Sequence, residues 1–320
     1  MKFEQQLSSI RNKIQKELLT GDCHLDSSLN FVTHNMGKMV RPTFVLIGST
    51  FGTIKTEENL ESVTSIAAAI ESLHVATLLH DDIIDEAKLR RGQPSVQAKY
   101  SKEYALYMGD FILIRSFMML TNLDIPRDAA SGLAKVVNQI CIGEMKQHKY
   151  RYKTDVFPLK YLHVISRKTA ALFAVSLSVG AKYSEAEDSI VKKLGRIGYE
   201  IGMAFQLVDD LLDYSGEVAT VGKDLESDLI QGYYNIPVLF ALQSKQPSSK
   251  RLKELLEQPI SRENNLEVIE LVKQLGGIDK TQELAKRYNS RAMKLISQLP
   301  EGDGKKALLE LTPTLLSRIK

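Results

Sequence analysis

Leu79-His80-Asp81-Asp82-Ile83-Ile84-Asp85 and Gln206-Leu207-Val208-Asp209-Asp210-Leu211-Leu212-Asp213 decide how the rest of this 320-residue chain is read. Both stretches carry two aspartates, two aliphatic residues and a third aspartate, inside otherwise apolar runs. On a helix turning about 100° per residue, the first and fifth residues of the pattern lie about 40° apart, and the second about 60° from the fifth. Asp81, Asp82 and Asp85 are therefore expected on one helical face. Neighbouring carboxylates repel and raise one another's pKa, so such a face is costly unless cations bind it. Oxygen ligands without histidine or cysteine suit magnesium, which takes one or two carboxylates together with substrate phosphates. Two such faces predict a diphosphate held by magnesium between opposing helices. One copy alone would fit a solvated acidic face; the apolar flanks of both copies argue against that.

Outward from the motifs, helical periodicity dominates. Leu7, Ile10, Ile14 and Leu18 recur at steps of three and four within residues 4–19. Residues 62–86, 104–120, 129–149, 159–179 and 195–213 read as further helices, with Pro and Gly mostly between them. No run alternates like a strand, and no low-complexity linker divides the chain. The expectation is one all-α domain spanning 1–320.

Composition narrows the function classes. A net charge of +3 without a long basic run leaves no nucleic-acid footprint. Cys23 and Cys141 are too few for a disulfide framework or a zinc ribbon, which favours a reducing cytoplasm. The amino terminus lacks the apolar core of a signal peptide. The longest uncharged stretches, 42–54 and 169–181, fall short of a membrane span. A soluble, cytoplasmic protein with at most peripheral membrane contact is expected.

Diphosphates also need fixed cations, and these lie beside the acidic motifs. Arg90-Arg91 precedes a Gly92-Gln93-Pro94 turn. Gly37-Lys38 and Arg41-Pro42 open an apolar helix, Arg167-Lys168-Thr169 begins another apolar segment, and Gly222-Lys223-Asp224 follows the second motif. Arginine grips phosphate bidentately and lysine acts as a point charge, so the mixture suits two diphosphates.

In this order, from about residue 35 to 240, the motifs resemble those of the trans-isoprenyl diphosphate synthases, or polyprenyl synthetases, with the catalytic motifs within 37–240. The resemblance implies the isoprenoid synthase fold, a single-domain bundle of long helices around a deep central cavity. It implies head-to-tail condensation of isopentenyl diphosphate onto an allylic diphosphate, farnesyl diphosphate being the expected primer. Position by position, it implies that Asp81, Asp82, Asp85 and Asp209 bind magnesium, about three ions in all, with Asp213 acting through a bound water. Arg90, Lys168 and Lys223 would meet the allylic diphosphate; Lys38, Arg41, His74 and Arg91 the isopentenyl diphosphate. Thr169 and Gln206 would place oxygens near the developing allylic cation, with Gln147 on the cavity wall. The departing diphosphate is the family's proton acceptor, so no side-chain base is required.

The growing chain would pass Thr77, Ala76, Leu73 and Ile70, which lie four, five, eight and eleven residues before Asp81. Short-chain members carry bulky aromatics nearest the motif. Ala76 and Thr77 are small, so a product of about six to eight isoprene units is expected, heptaprenyl favoured, with Phe117, Met118 and Met119 as a later floor. Such a product would serve a quinone side chain, menaquinone among them.

Some positions depart from the family pattern. Met36 stands for a glycine, Met39 for a basic residue, Asp224 for a proline and Tyr233 for a phosphate-binding lysine. A similar loss of that lysine marks the catalytic larger subunits (component II) of heterodimeric heptaprenyl diphosphate synthases, the group this chain resembles most. A dimer follows as an expectation, either of two copies or with a small non-catalytic subunit. Three other readings were weighed. A terpene cyclase would carry a different second metal motif. A phosphohydrolase built on His80-Asp81 leaves the second motif unexplained. A partner subunit without chemistry has no need of six clustered aspartates.

Overall fold

The computed structural model describes residues 3–121, 123, 127–214, 227–258, 260 and 262–316. Its helices are α1 (Glu4–Leu18), α2 (Cys23–His34), α3 (Val40–Ser49), α4 (Glu57–Ile84), α5 (Val96–Lys99), α6 (Lys102–Thr121), α7 (Arg127–Lys149) and α8 (Pro158–Ile165). A π-turn over Ser166–Ala170 leads into α9 (Ala171–Tyr183). There follow α10 (Asp188–Leu212), α11 (Ser227–Ile230), α12 (Ile236–Leu242), α13 (Ser248–Leu256), α14 (Arg262–Gln274), α15 (Gly277–Ser297) and α16 (Asp303–Leu316). The protein is all-α. The one sheet among the described residues is a hairpin pairing Leu89 with Pro94 and Arg90 with Gln93. Its two-residue turn, Arg91-Gly92, has positive φ at both positions, the geometry that matches strand twist.

Two compact units emerge, Met1–Leu133 with Val175–Gly195, and Ala134–Ala174 with Arg196–Lys320. In the first, α4 is packed by α1, α3 and α6. Surrounded in this way, α4 is apolar nearly all round rather than along a stripe, and polar residues gather at its ends. Its start is capped by the Thr56 side chain, which accepts the Asn59 amide at 3.2 Å, and Glu57 and Glu58 complement the helix dipole. Phe44, Ile47, Ile66, Ile70, Leu73 and Ile112 are fully buried here. Each such side chain contributes about 1.5–3 kcal/mol by leaving water. In the second unit α12 packs on α15, with α13, α14 and α16 around them. Leu207, Ile236, Val238, Leu252, Val268 and Val272 form its core.

The expected helices are present with shifted limits. The 62–86 segment begins at Glu57 and stops at Ile84, and the 159–179 segment is divided by the π-turn. Helices α13 to α16, which carry no motif, complete the second unit. Reading uncharged runs understated the apolar helices, because Glu71 interrupts one of them. Residues 57–84 and 158–183 are each long and apolar enough to cross a bilayer, yet 72% and 61% of their most apolar windows are buried within the protein. They are core helices.

Candidate functional site

In the first unit, α4 delivers its acidic end to the Arg90-Arg91 hairpin. Asp81 and Asp85 are partly exposed, one turn apart, with the Asp85 amide donating to the Asp81 carbonyl at 2.8 Å. Asp82 departs from the expected shared face. It is buried, and Arg90 Nε donates to its two oxygens at 2.9 and 3.2 Å, with a further contact from the guanidinium NH2. The hairpin returns the chain over the helix end, so the second aspartate meets arginine while the first and fifth stay partly exposed.

Next to this pair is a cleft with about 550 Å³ of free space. Glu71, His74, Asp82, Arg90 and Arg91 supply its polar wall, and Phe31, Leu78 and Leu79 part of its apolar wall. Arg91 donates to the Asn35 carbonyl, and its guanidinium lies so close over Gly37 that any Cβ there would strike it. Arg41 is enclosed, and burial draws its pKa down to about 10 against the pull of Glu71. Burial raises the Glu71 carboxyl, while Arg41, Arg91 and Arg11 hold it down. Burial, then Arg41, Arg91 and Arg90, push His74 well below the ordinary imidazole range, so this ring is neutral at pH 7. Lys38 is exposed at the entry to α3, where Met39 adopts a left-handed conformation. A neutral ring among three guanidinium groups makes a receptor for a strongly anionic ligand.

The α4 residues earlier in the chain divide into two kinds. Ile70, Leu73 and Ala76 are packed in the core, with Ala76 1% exposed. Thr77 is partly exposed and its hydroxyl donates to the His74 carbonyl at 2.8 Å. On α6, Met119 is buried and Met118 is 47% exposed.

In the second unit the π-turn sends consecutive side chains to different helices, a use of the extra residue common at functional positions. Lys168 Nζ faces α7, reaching Glu144 Oε2 at 3.0 Å and Gln147 Oε1 at 3.1 Å. Thr169 Oγ1 faces α10 and donates to Gln206 Oε1 at 2.7 Å. The Gln206 amide NH2 donates to Asp210 Oδ1 at 3.1 Å, and Tyr161 OH donates to Asp210 Oδ2 at 2.8 Å. Asp210 is buried, which pushes its carboxyl up to about 7, while the bonds from Gln206 and Tyr161 oppose that rise. Asp209 and Asp213 are partly exposed, and Asn235 Nδ2 donates to Asp213 Oδ2 at 2.9 Å. Asn235 is oriented in turn by Tyr214 OH at 2.6 Å. Tyr233 helps line a second cleft with about 430 Å³ of free space, next to Gln147, Tyr161 and Asn235, and its ring stacks under Arg151 with 5.2 Å to the centroid. Lys223 lies outside the described residues.

Both acidic motifs thus differ internally in the same way: the middle aspartate is buried and bonded, the outer two are partly exposed. Among the described residues no three His, Cys, Asp or Glu side chains converge to enclose an ion alone. An all-oxygen set of one or two carboxylates per helix end fits magnesium completed by phosphate oxygens, and does not fit a zinc or iron centre. Glu71, Asp82 as an arginine anchor, Glu144, Tyr161, Asp210, Tyr214 and Asn235 are additions the sequence reading did not identify.

The profile of the family described as Polyprenyl synthetase matches residues 23–274. Heptaprenyl diphosphate synthase component 2 of Geobacillus stearothermophilus is 38% identical over 278 residues, 86% of this chain and 84% of its own. The crystal structure of heptaprenyl diphosphate synthase from Staphylococcus aureus matches with a TM-score of 0.92 at 30% identity, covering 99% of both chains. The polyprenyl synthase of Caulobacter crescentus CB15, solved with calcium and isoprenyl diphosphate, gives 0.90 at 27% identity, covering 99% of this chain and 96% of its own.

Proposed function

Because this chain belongs to the polyprenyl synthetase family and is a trans-prenyl diphosphate synthase acting on isoprenyl diphosphates, we propose that it extends farnesyl diphosphate with isopentenyl diphosphate to all-trans heptaprenyl diphosphate. The observation that carries this reading is the repeated acidic motif, with its outer carboxylates partly exposed and cations grouped nearby. The name of the Geobacillus relative supports the product length, and the small Thr77 one turn before Asp81 agrees with a long product.

In each cycle the allylic C–O bond breaks, the double bond of isopentenyl diphosphate forms the new C–C bond, and a proton leaves the adjacent carbon for the departed diphosphate. Magnesium, about three ions, supplies charge neutralisation for the leaving group. Asp81, Asp85 and Asp209 hold it, and Asp213 acts through water. Arg90, Lys168 and Lys223 bind the allylic diphosphate. Lys38, Arg41, His74 and Arg91 bind the isopentenyl diphosphate, His74 as a neutral hydrogen-bonding ring. Thr169 and Gln206 turn oxygens toward developing positive charge, which is preorganised electrostatic stabilisation. The whole of 1–320 acts as one catalytic domain, in the cytoplasm, with the product destined for a quinone side chain. The "component 2" in the relative's name and Tyr233 in place of a basic residue favour assembly with a small second subunit.

The test is product analysis. The pure chain is incubated with farnesyl diphosphate, labelled isopentenyl diphosphate and magnesium, and the products are resolved by length. A ladder ending near about seven units is expected. Asp81→Ala and Asp209→Ala are each expected to lower turnover by at least about a hundredfold with the circular dichroism unchanged. Normal turnover in either variant would sink the metal assignment. An inactive pure chain that gains activity with a small subunit supports the heteromeric form.

A further inference from the structure

The side chains of Tyr161, Asp210, Gln206 and Thr169 form one hydrogen-bonded row across α8, the π-turn and α10. We infer that Tyr161 and Asp210 are positioning residues that fix the orientation of the Gln206 amide, so that Thr169 and Gln206 present oxygens, not N–H groups, to the reacting carbon. This rests on the prenyl-transfer reading above.

The argument is one of donors and acceptors. Both Asp210 oxygens act as acceptors, Oδ2 from Tyr161 OH and Oδ1 from Gln206 Nε2. Asp210 Oδ1 accepts from Gln206 Nε2 at 3.1 Å, which holds the NH2 end of the amide on the Asp210 side. A rotated amide would bring Gln206 Oε1 against a carboxylate oxygen, which is repulsive, and would turn N–H donors toward Thr169. The observed orientation leaves Oε1 to accept from Thr169 Oγ1 at 2.7 Å. With its proton committed, the threonine hydroxyl offers only lone pairs outward. Tyr161 OH on Oδ2, at 2.8 Å, fixes the carboxylate's orientation. Tyr161 and Asp210 are buried, which strengthens the hydrogen bond between them. The middle aspartate of the second motif therefore serves orientation rather than the metal. The same residues would face a cation with the wrong dipole if the row were broken.

Tyr161→Phe removes one hydroxyl and keeps the ring. It is expected to lower kcat by on the order of tenfold while KM for isopentenyl diphosphate stays unchanged, the loss matching one charge-assisted hydrogen bond. The Tyr161→Phe/Thr169→Val double variant should be no slower than Thr169→Val alone, because the row has already lost its end. The second readout is the side-chain amide resonance of Gln206 in selectively labelled protein without substrates. It should shift in Tyr161→Phe and in Asp210→Asn, the latter serving where the former fails to fold. Multiplicative losses in the double variant, or a Gln206 resonance that stays fixed, overturn the inference. If the wild-type protein transfers no prenyl group, alone or with a small subunit, the functional reading fails and the amide resonance alone decides the row.

Discussion

At the scale of single residues, His74 shows how burial assigns a role. A solvated imidazole would be partly protonated near neutral pH, but here protein encloses it and Arg41, Arg90 and Arg91 press on it, with Glu71 and Asp82 as the anionic groups in the same cleft. Its folded pKa lies below the unfolded value of about 6.5, so the unfolded state binds the proton first. The stabilising contribution is complete above that pH and is lost as pH falls below it. Between pH 7.5 and 5.5 His74→Gln is expected to lose about 1 kcal/mol less unfolding free energy than the wild type, measured by urea titration at both pH values. Equal losses would show a solvated ring. The outer aspartates were legible as a repeated pattern and Arg90-Arg91 as its basic neighbour, whereas His74 came only from the family resemblance. The burial of Asp82 was not legible, because its bond to Arg90 depends on how a hairpin folds back over a helix end. Tyr161 was equally hidden, since nothing in its neighbours marks it as meeting Asp210.

At the scale of elements, two glycines let helices touch backbone to backbone. A Cβ at Gly48 of α3 would overlap the Leu177 carbonyl of α9, and one at Gly180 of α9 would overlap the Val45 carbonyl of α3. Neither obstacle is a side chain able to swing away. Gly48→Ala is expected to destabilise by about 1–3 kcal/mol through overpacking, despite the better helix propensity of alanine. Chemical denaturation measures it, and an unchanged midpoint would mean that α3 and α9 separate freely. Periodicity gave these helices their places but not their spacing, because the same glycines read equally well as helix ends. The chain-length positions show a similar gap. Spacing alone ranks Ala76 and Thr77 together, yet Ala76 is packed in the core and Thr77 is partly exposed. Thr77→Phe is therefore the substitution expected to shorten the product, read from the ladder, with the protein still folded. Ala76→Phe is expected to cost stability instead.

At the scale of the molecule, the limits of the two compact units fall inside helices, between 133 and 134 in α7, 174 and 175 in α9, and 195 and 196 in α10. A helix is cooperative along its length, so neither unit unfolds without fraying elements of the other. Calorimetry is expected to show a single transition for 1–320; two resolved transitions would make the units separate domains. Folding order also follows from α4. Its most apolar window would satisfy a bilayer, and only packing hides it. Its main cover is α6, the next long helix in the chain. During synthesis the greasy helix is thus sheathed soon after α6 clears the ribosome, long before the second acidic motif has been translated. A release of the nascent chain between the two helices would leave a membrane-seeking, aggregation-prone fragment, and the brevity of that stretch keeps the dangerous interval short.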